Sequence, residues 1–103
     1  DVYGELFIPQ SGAGKVHEGQ TVHIELDSYP KKEFGLVIGT VTSISDVSAD
    51  SLYKIQVTLP HKLQTTTHKT LNFKYGMQGT ANIITKKMRL IERFFNELRQ
   101  AFE

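Results

Sequence analysis

Between Tyr3 and Thr85 this chain never runs far without turn chemistry, and that spacing limits its fold more than any other feature of the 103 residues. Pro9, the run Ser11-Gly12-Ala13-Gly14, Gly19, Tyr29-Pro30, Gly35 and the pair Gly76 and Gly79 cut it into short pieces. Several pieces alternate as half-buried strands do. Across residues 21–27, Val22, Ile24 and Leu26 fall on one side and Thr21, His23, Glu25 and Asp27 on the other. Residues 52–59 return with Tyr53, Ile55, Val57 and Leu59 on one face. Residues 3–8, 36–45, 70–75 and 80–85 supply the other strands. In the long piece, 36–45, the apolar residues change face near Gly39, and a glycine inside a strand often marks a bulge or a bend. Residues 60–69 are polar and threonine-rich and are expected to form a mobile loop.

About six short strands at near-regular spacing imply an all-β fold, a small antiparallel β-barrel. Its expected core includes Val22, Ile24, Leu26, Val41, Ile55, Val57 and Ile83. After Thr85 the period changes. Residues 86–103 contain no glycine or proline, and Met88, Ile91, Phe95, Leu98 and Phe102 recur at alternating gaps of three and four. Arg89 with Glu92, Arg93 with Glu97 and Arg99 with Glu103 can pair along the flanks of a helix. The spacing therefore predicts a C-terminal amphipathic helix over 86–103 after a barrel domain over 1–85. Its apolar face is expected to pack on protein, either its own barrel or another copy, with the transporter or the membrane surface as further partners in a larger parent.

Composition narrows the chemistry. Twelve Lys and Arg against eleven Asp and Glu leave a net charge of +1, too little to draw in a polyanion from a distance. No cysteine is present, so disulfides, thiolate metal sites and cysteine nucleophiles are excluded. Gly12, Gly14 and Lys15 echo a phosphate loop, but Pro9 and Val16 stand where its first glycine and its Ser or Thr belong. His17, His23, His61 and His68 lack the i,i+4 spacing of a helical metal pair and sit beside no cluster of carboxylates. No Gly-x-Ser-x-Gly elbow presents a nucleophile. Tyr29, Phe34, Tyr53 and Phe73 could stack bases, but no regular basic residues interleave with them. The reading is a protein that is not an enzyme, with no catalytic, metal-binding or cofactor-binding residues. Its rival is an OB-like barrel that binds nucleic acid.

The turns and strands also occur in a distinctive order. Leu6-Phe7-Ile8-Pro9, Gly14-Lys15-Val16 and Gly19-Gln20-Thr21-Val22 lead into Tyr29-Pro30, Phe34-Gly35 and Gly39-Thr40-Val41-Thr42-Ser43-Ile44-Ser45. Leu71, Gly76-Met77, Gly79, Ala81 and Ile83 close the series, and Arg89-Leu90-Ile91 follows. This order resembles the β-barrel module of HlyD-like membrane fusion proteins, the periplasmic adaptors of bacterial export systems. In that resemblance Gly19, Gly35, Gly76 and Gly79 fall where tight turns call for a missing Cβ, and Pro30 restricts the residue entering a turn. The resemblance implies a structural module at the periplasmic face of the inner membrane, with no cofactor, in a parent anchored by a segment outside this chain. Its implied partners are an inner-membrane transporter, ABC-type or proton-driven, and other adaptor subunits.

Overall fold

A computed structural model describes residues 2–47, 52–59, 63–72, 74, 77–85, 89–94 and 99–100. Among these residues seven strands form one sheet: β1 (Val2–Pro9), β2 (Thr21–Leu26), β3 (Val37–Val47), β4 (Leu52–Leu59), β5 (Gly79–Ile84), β6 (Arg89–Phe94) and β7 (Arg99–Gln100). Two single-turn helices, α1 (Gln10–Ala13) and α2 (Lys31–Phe34), sit in the first two connections. Strand order is β6-β5-β2-β3-β4-β1-β7, and every ladder is antiparallel. Near its ends β1 and β6 approach each other, so the sheet curls into a half-barrel. The all-β expectation holds.

Alternation decides which face is buried. Val2, Leu6 and Ile8 of β1, Val22, Ile24 and Leu26 of β2, and Ile55, Val57 and Leu59 of β4 all line the concave side. All seven residues expected in the core are buried, none more than 2 % exposed. Val16, Leu63 and Leu71, which come from connections rather than strands, plug the same core.

The face change in β3 is real, but its device lies three residues past Gly39. The register with β4 slips between Val41 and Ser43, leaving Thr42 as the extra residue of a bulge. Val41 stands opposite Val57 and Ile44 opposite Ile55, so the bulge brings Ile44 onto the core side after Val37 and Val41. Gly39 has a different role. A Cβ there would meet Val57 Cγ1 at 2.7 Å and Leu59 Cδ2 at 2.8 Å. It is a gap that β4 fills.

Two expectations need correction. The strand expected over 70–75 reduces, among the described residues, to one isolated bridge between Thr70 and Gln64. Its N-terminal half belongs instead to a compact turn over 63–71, described below; Phe73, Tyr75 and Gly76 lie outside the described residues. The expected helix over 86–103 is corrected at Arg89–Phe94 and Arg99–Gln100, which are strands. Met88, Phe95, Leu98 and Phe102 of its predicted face lie outside the described residues, and Ile91 stands in register with Asn82 of β5.

The physical reason is edge pairing. A curled sheet that stops at β5 and β1 presents two rows of unpaired backbone donors and acceptors. Three alternating strands separate β5 from β1, so these two run in the same direction. β6 and β7, each antiparallel to its partner, therefore also share a direction, and one stretch of chain serves the β5 edge and then the start of β1. Helix propensity is a weak prior against two such ladders.

Candidate interaction surface

Strand polarity gathers the connections over 27–36 and 63–72 at one end of the half-barrel, next to the start of β3 and β5 and the end of β2 and β4. The first begins at Tyr29, whose N–H donates to the Leu26 carbonyl at 3.0 Å. Pro30 follows in an extended conformation, φ −55° and ψ 140°, at the entry to α2. The Glu25 carboxylate reaches across to accept the Lys31 N–H at 2.9 Å, placing negative charge at a helical first turn. Gly35 then ends the turn at φ +85°, a left-handed conformation suited to glycine. The Phe34 ring meets Tyr29 edge to face, with centroids 5.1 Å apart and planes at 88°.

The second connection folds around Thr65, which is 5 % exposed. Its N–H donates to the Lys69 carbonyl at 2.7 Å, while its Oγ1 accepts the Lys69 N–H at 3.1 Å and the Thr67 N–H at 3.3 Å. Leu63 and His68 take positive φ, 46° and 65°, to close this turn, and the Leu71 N–H donates to the Leu63 carbonyl. A threonine-rich sequence thus forms a tight turn with two apolar ends in the core.

Four hydrogen bonds clamp the two connections together. Thr66 N–H donates to the Leu36 carbonyl at 2.8 Å, and Leu36 N–H donates to Thr66 Oγ1 at 3.1 Å. Thr67 Oγ1 donates to the Phe34 carbonyl at 2.7 Å. Lys69 Nζ donates to the Glu33 carbonyl at 2.7 Å and lies 5.3 Å from the Phe34 ring centroid, a cation–π distance. Gly35 is part of the fit: a Cβ there would come 2.8 Å from Thr66 Oγ1. Thr65→Val keeps the shape but removes the central acceptor and is expected to destabilise the chain by about 1–3 kcal/mol, because two turn N–H groups lose their partner. A shift in the urea midpoint with an unchanged slope checks it; no shift would show that the turn is not held from Thr65.

The other predicted positions are dispersed. Gly19 takes φ +93°, and its N–H donates to the Val41 carbonyl at 2.8 Å, tying the β1–β2 connection to β3. Gly79 opens β5 as a strand residue without positive φ, and its requirement is a close backbone approach to β2. Of the histidines, His17 lies in the β1–β2 connection, His23 in β2 and His68 in the clamp, while His61 falls outside the described residues. Among the described residues no group of three or more His, Cys, Asp or Glu could hold a metal ion. Thr65, Thr66, Thr67 and Lys69 escaped sequence reasoning, and the one signal for them was a threonine run bounded by Leu63 and Leu71.

On the convex side Phe7 is 38 % exposed, opposite Lys54 of β4. Beside it Ser43 and Gln56 exchange a side-chain hydrogen bond, as do Thr58 and Thr42. Among the described residues Phe7 is the exposed large apolar side chain, and Tyr3 on the same face of β1 is half-buried.

Fold and surface together define a small antiparallel β module in which side-chain polarity fixes two loops to one another. The chain belongs to the family of the AprE-like beta-barrel domain, whose model matches residues 3–86. That domain is the β-barrel module of HlyD-type membrane fusion proteins, the adaptors of secretion systems. Such adaptors are non-catalytic, are generally periplasmic and associated with the inner membrane, and interact with transporters and other subunits. No curated protein and no solved structure matches the chain at a significant level. Among the described residues no helix is long and apolar enough to cross a membrane.

Proposed function

We infer that this chain is a structural, non-catalytic interaction module of an export adaptor. It packs against an inner-membrane transporter, ABC-type or proton-driven, and against neighbouring adaptor subunits at the periplasmic face of that membrane. The observation that carries this reading is the family match over residues 3–86. The clamp supports it, because Thr65, Thr66, Thr67 and Lys69 direct their polar groups at backbone atoms of the chain itself. A surface held rigid in this way loses little conformational freedom on docking.

Photoreactive residues introduced singly at Phe7 and at His68 of the intact adaptor sample the convex face and the clamp. Crosslinks to the transporter or to a second adaptor copy are expected. Their absence from both positions, with export intact, would overturn the reading. The nucleic-acid alternative makes an opposite prediction for the module alone. Calorimetry is expected to detect no micromolar binding of single-stranded DNA, nucleotide or zinc, and a clear binding isotherm for any of them would restore a ligand-binding role.

A further inference from the structure

The chain has two methionines, Met77 and Met88, and the first lies among the described residues. Two contacts hold it. Its side chain is half-buried and packs against the core cluster. Its Sδ also accepts the Lys74 N–H at 3.2 Å, in an exposed contact. A thioether sulfur is a weak acceptor and a soft, polarizable group that suits an apolar core. One side chain here joins both settings, so an oxidisable sulfur stands at the boundary between core and solvent.

The residues after Met77 join the clamp end to the sheet. The Gln78 carbonyl accepts the Asp27 N–H at 2.8 Å. Gly79 then pairs with Leu26 of β2, where the two backbones come so close that no Cβ fits. The Leu26 carbonyl in turn accepts the Tyr29 N–H, and the Tyr29 ring meets Phe34 of the clamp. A displacement of Met77 is therefore felt first at Gln78 and Asp27, at the root of the clamp.

We propose that Met77 is an oxidation site whose sulfoxide loosens the clamp end of the half-barrel. A hydroperoxide supplies the oxygen. Sδ attacks its terminal oxygen, an S–O bond forms and the O–O bond breaks. The second oxygen takes up the proton of the first and leaves as water or an alcohol. The sulfur is oxidised by two electrons and the peroxide is reduced by two. The product is a polar side chain that no longer suits the core cluster. Its new oxygen becomes the stronger acceptor and stands one bond beyond the sulfur, so the Lys74 contact cannot persist with the side chain still packed. This site is independent of the adaptor reading, since it rests on the contacts of Met77 and Gln78.

Hydrogen peroxide treatment of the intact chain tests it, read by peptide mass spectrometry and amide exchange, with β3 and β4 amides reporting that the sheet is folded. Once Met77 is converted, the Lys74 and Asp27 amides are expected to exchange at least about tenfold faster. Methionine sulfoxide reductase should restore both. Met77→Leu keeps the apolar bulk and removes the sulfur. In that chain the Lys74 amide should exchange fast from the start, the Asp27 amide should stay protected, and peroxide should change neither. The proposal fails if Met77 stays unoxidised in the folded chain while free methionine in the same solution is converted. It fails equally if conversion leaves Asp27 protected, or if β3 and β4 lose protection along with it, because the effect is then absent or global. Loss of Asp27 protection in peroxide-treated Met77→Leu would also overturn it, since the responsible group is then not Met77.

Discussion

Replacing Gly79 with alanine is expected to lower the stability of this domain by about 3 kcal/mol, the upper part of the usual range for overpacking. The added Cβ would fall on the Glu25 carbonyl oxygen, with the Glu25 carbonyl carbon and Leu26 Cα each 3.0 Å away. All three are backbone atoms of β2, and none can turn aside as the end of a side chain can. Relief requires parting β2 from β5 where Leu26 pairs with Gly79, at the clamp end of the sheet. Gly12→Ala is the matched control, since a Cβ there meets nothing within 4 Å. That change should stay within about 0.5 kcal/mol. Urea midpoints for the two variants check the pair, and equal midpoints would show that the β2–β5 approach is looser than the geometry implies.

Gly79 also shows where sequence reasoning stops. A glycine pair at 76 and 79 reads as a turn, because turns are the commonest reason for glycine in that setting. The requirement at 79 is instead set by a strand more than fifty positions earlier, which no local window contains. The same separation explains Gly39 and Thr42. Alternation alone revealed that β3 changes face, since Val37 and Val41 lie on one parity and Ile44 on the other. It could not choose between the glycine and its neighbours, because only the register against β4 shows which residue is unpaired.

The clamp was hidden for a related reason. Threonines at 65, 66 and 67 look like a solvated loop until Leu36, Phe34 and Glu33 bring their backbone groups to them. At the C-terminus a clean helical period met a stronger competitor, the open edge of β5, which no property of residues 89–94 announces. Strong, two-sided alternation was legible throughout. Val22, Ile24 and Leu26 or Ile55 and Val57 could be assigned to the core because a one-residue slip would move every one of them into water.

That argument gives the second large effect. Ile55→Ala is expected to destabilise the chain by about 2–5 kcal/mol, the range for truncating a large aliphatic side chain in a closed core. Ile55 is 0 % exposed and lies in β4, which has β3 on one side and β1 on the other. Its register neighbours are Leu6 of β1 and Ile44 of β3, the residue that the bulge at Thr42 delivers to the core side. Because that bulge fixes the β3 backbone, Ile44 cannot slide into the vacated space without breaking the Ser43 pairing opposite Gln56. Partial collapse is what lowers such costs, so the effect should fall in the upper half of the range. For a domain of this size the total is of the order of 5–15 kcal/mol, and the variant should show a midpoint shift visible in any denaturant. Phe7→Ala, one strand away on the exposed side, removes a larger side chain yet should shift the midpoint far less. If the two variants lose equal stability, the concave face is not the principal core, and the half-barrel must be held from its convex side.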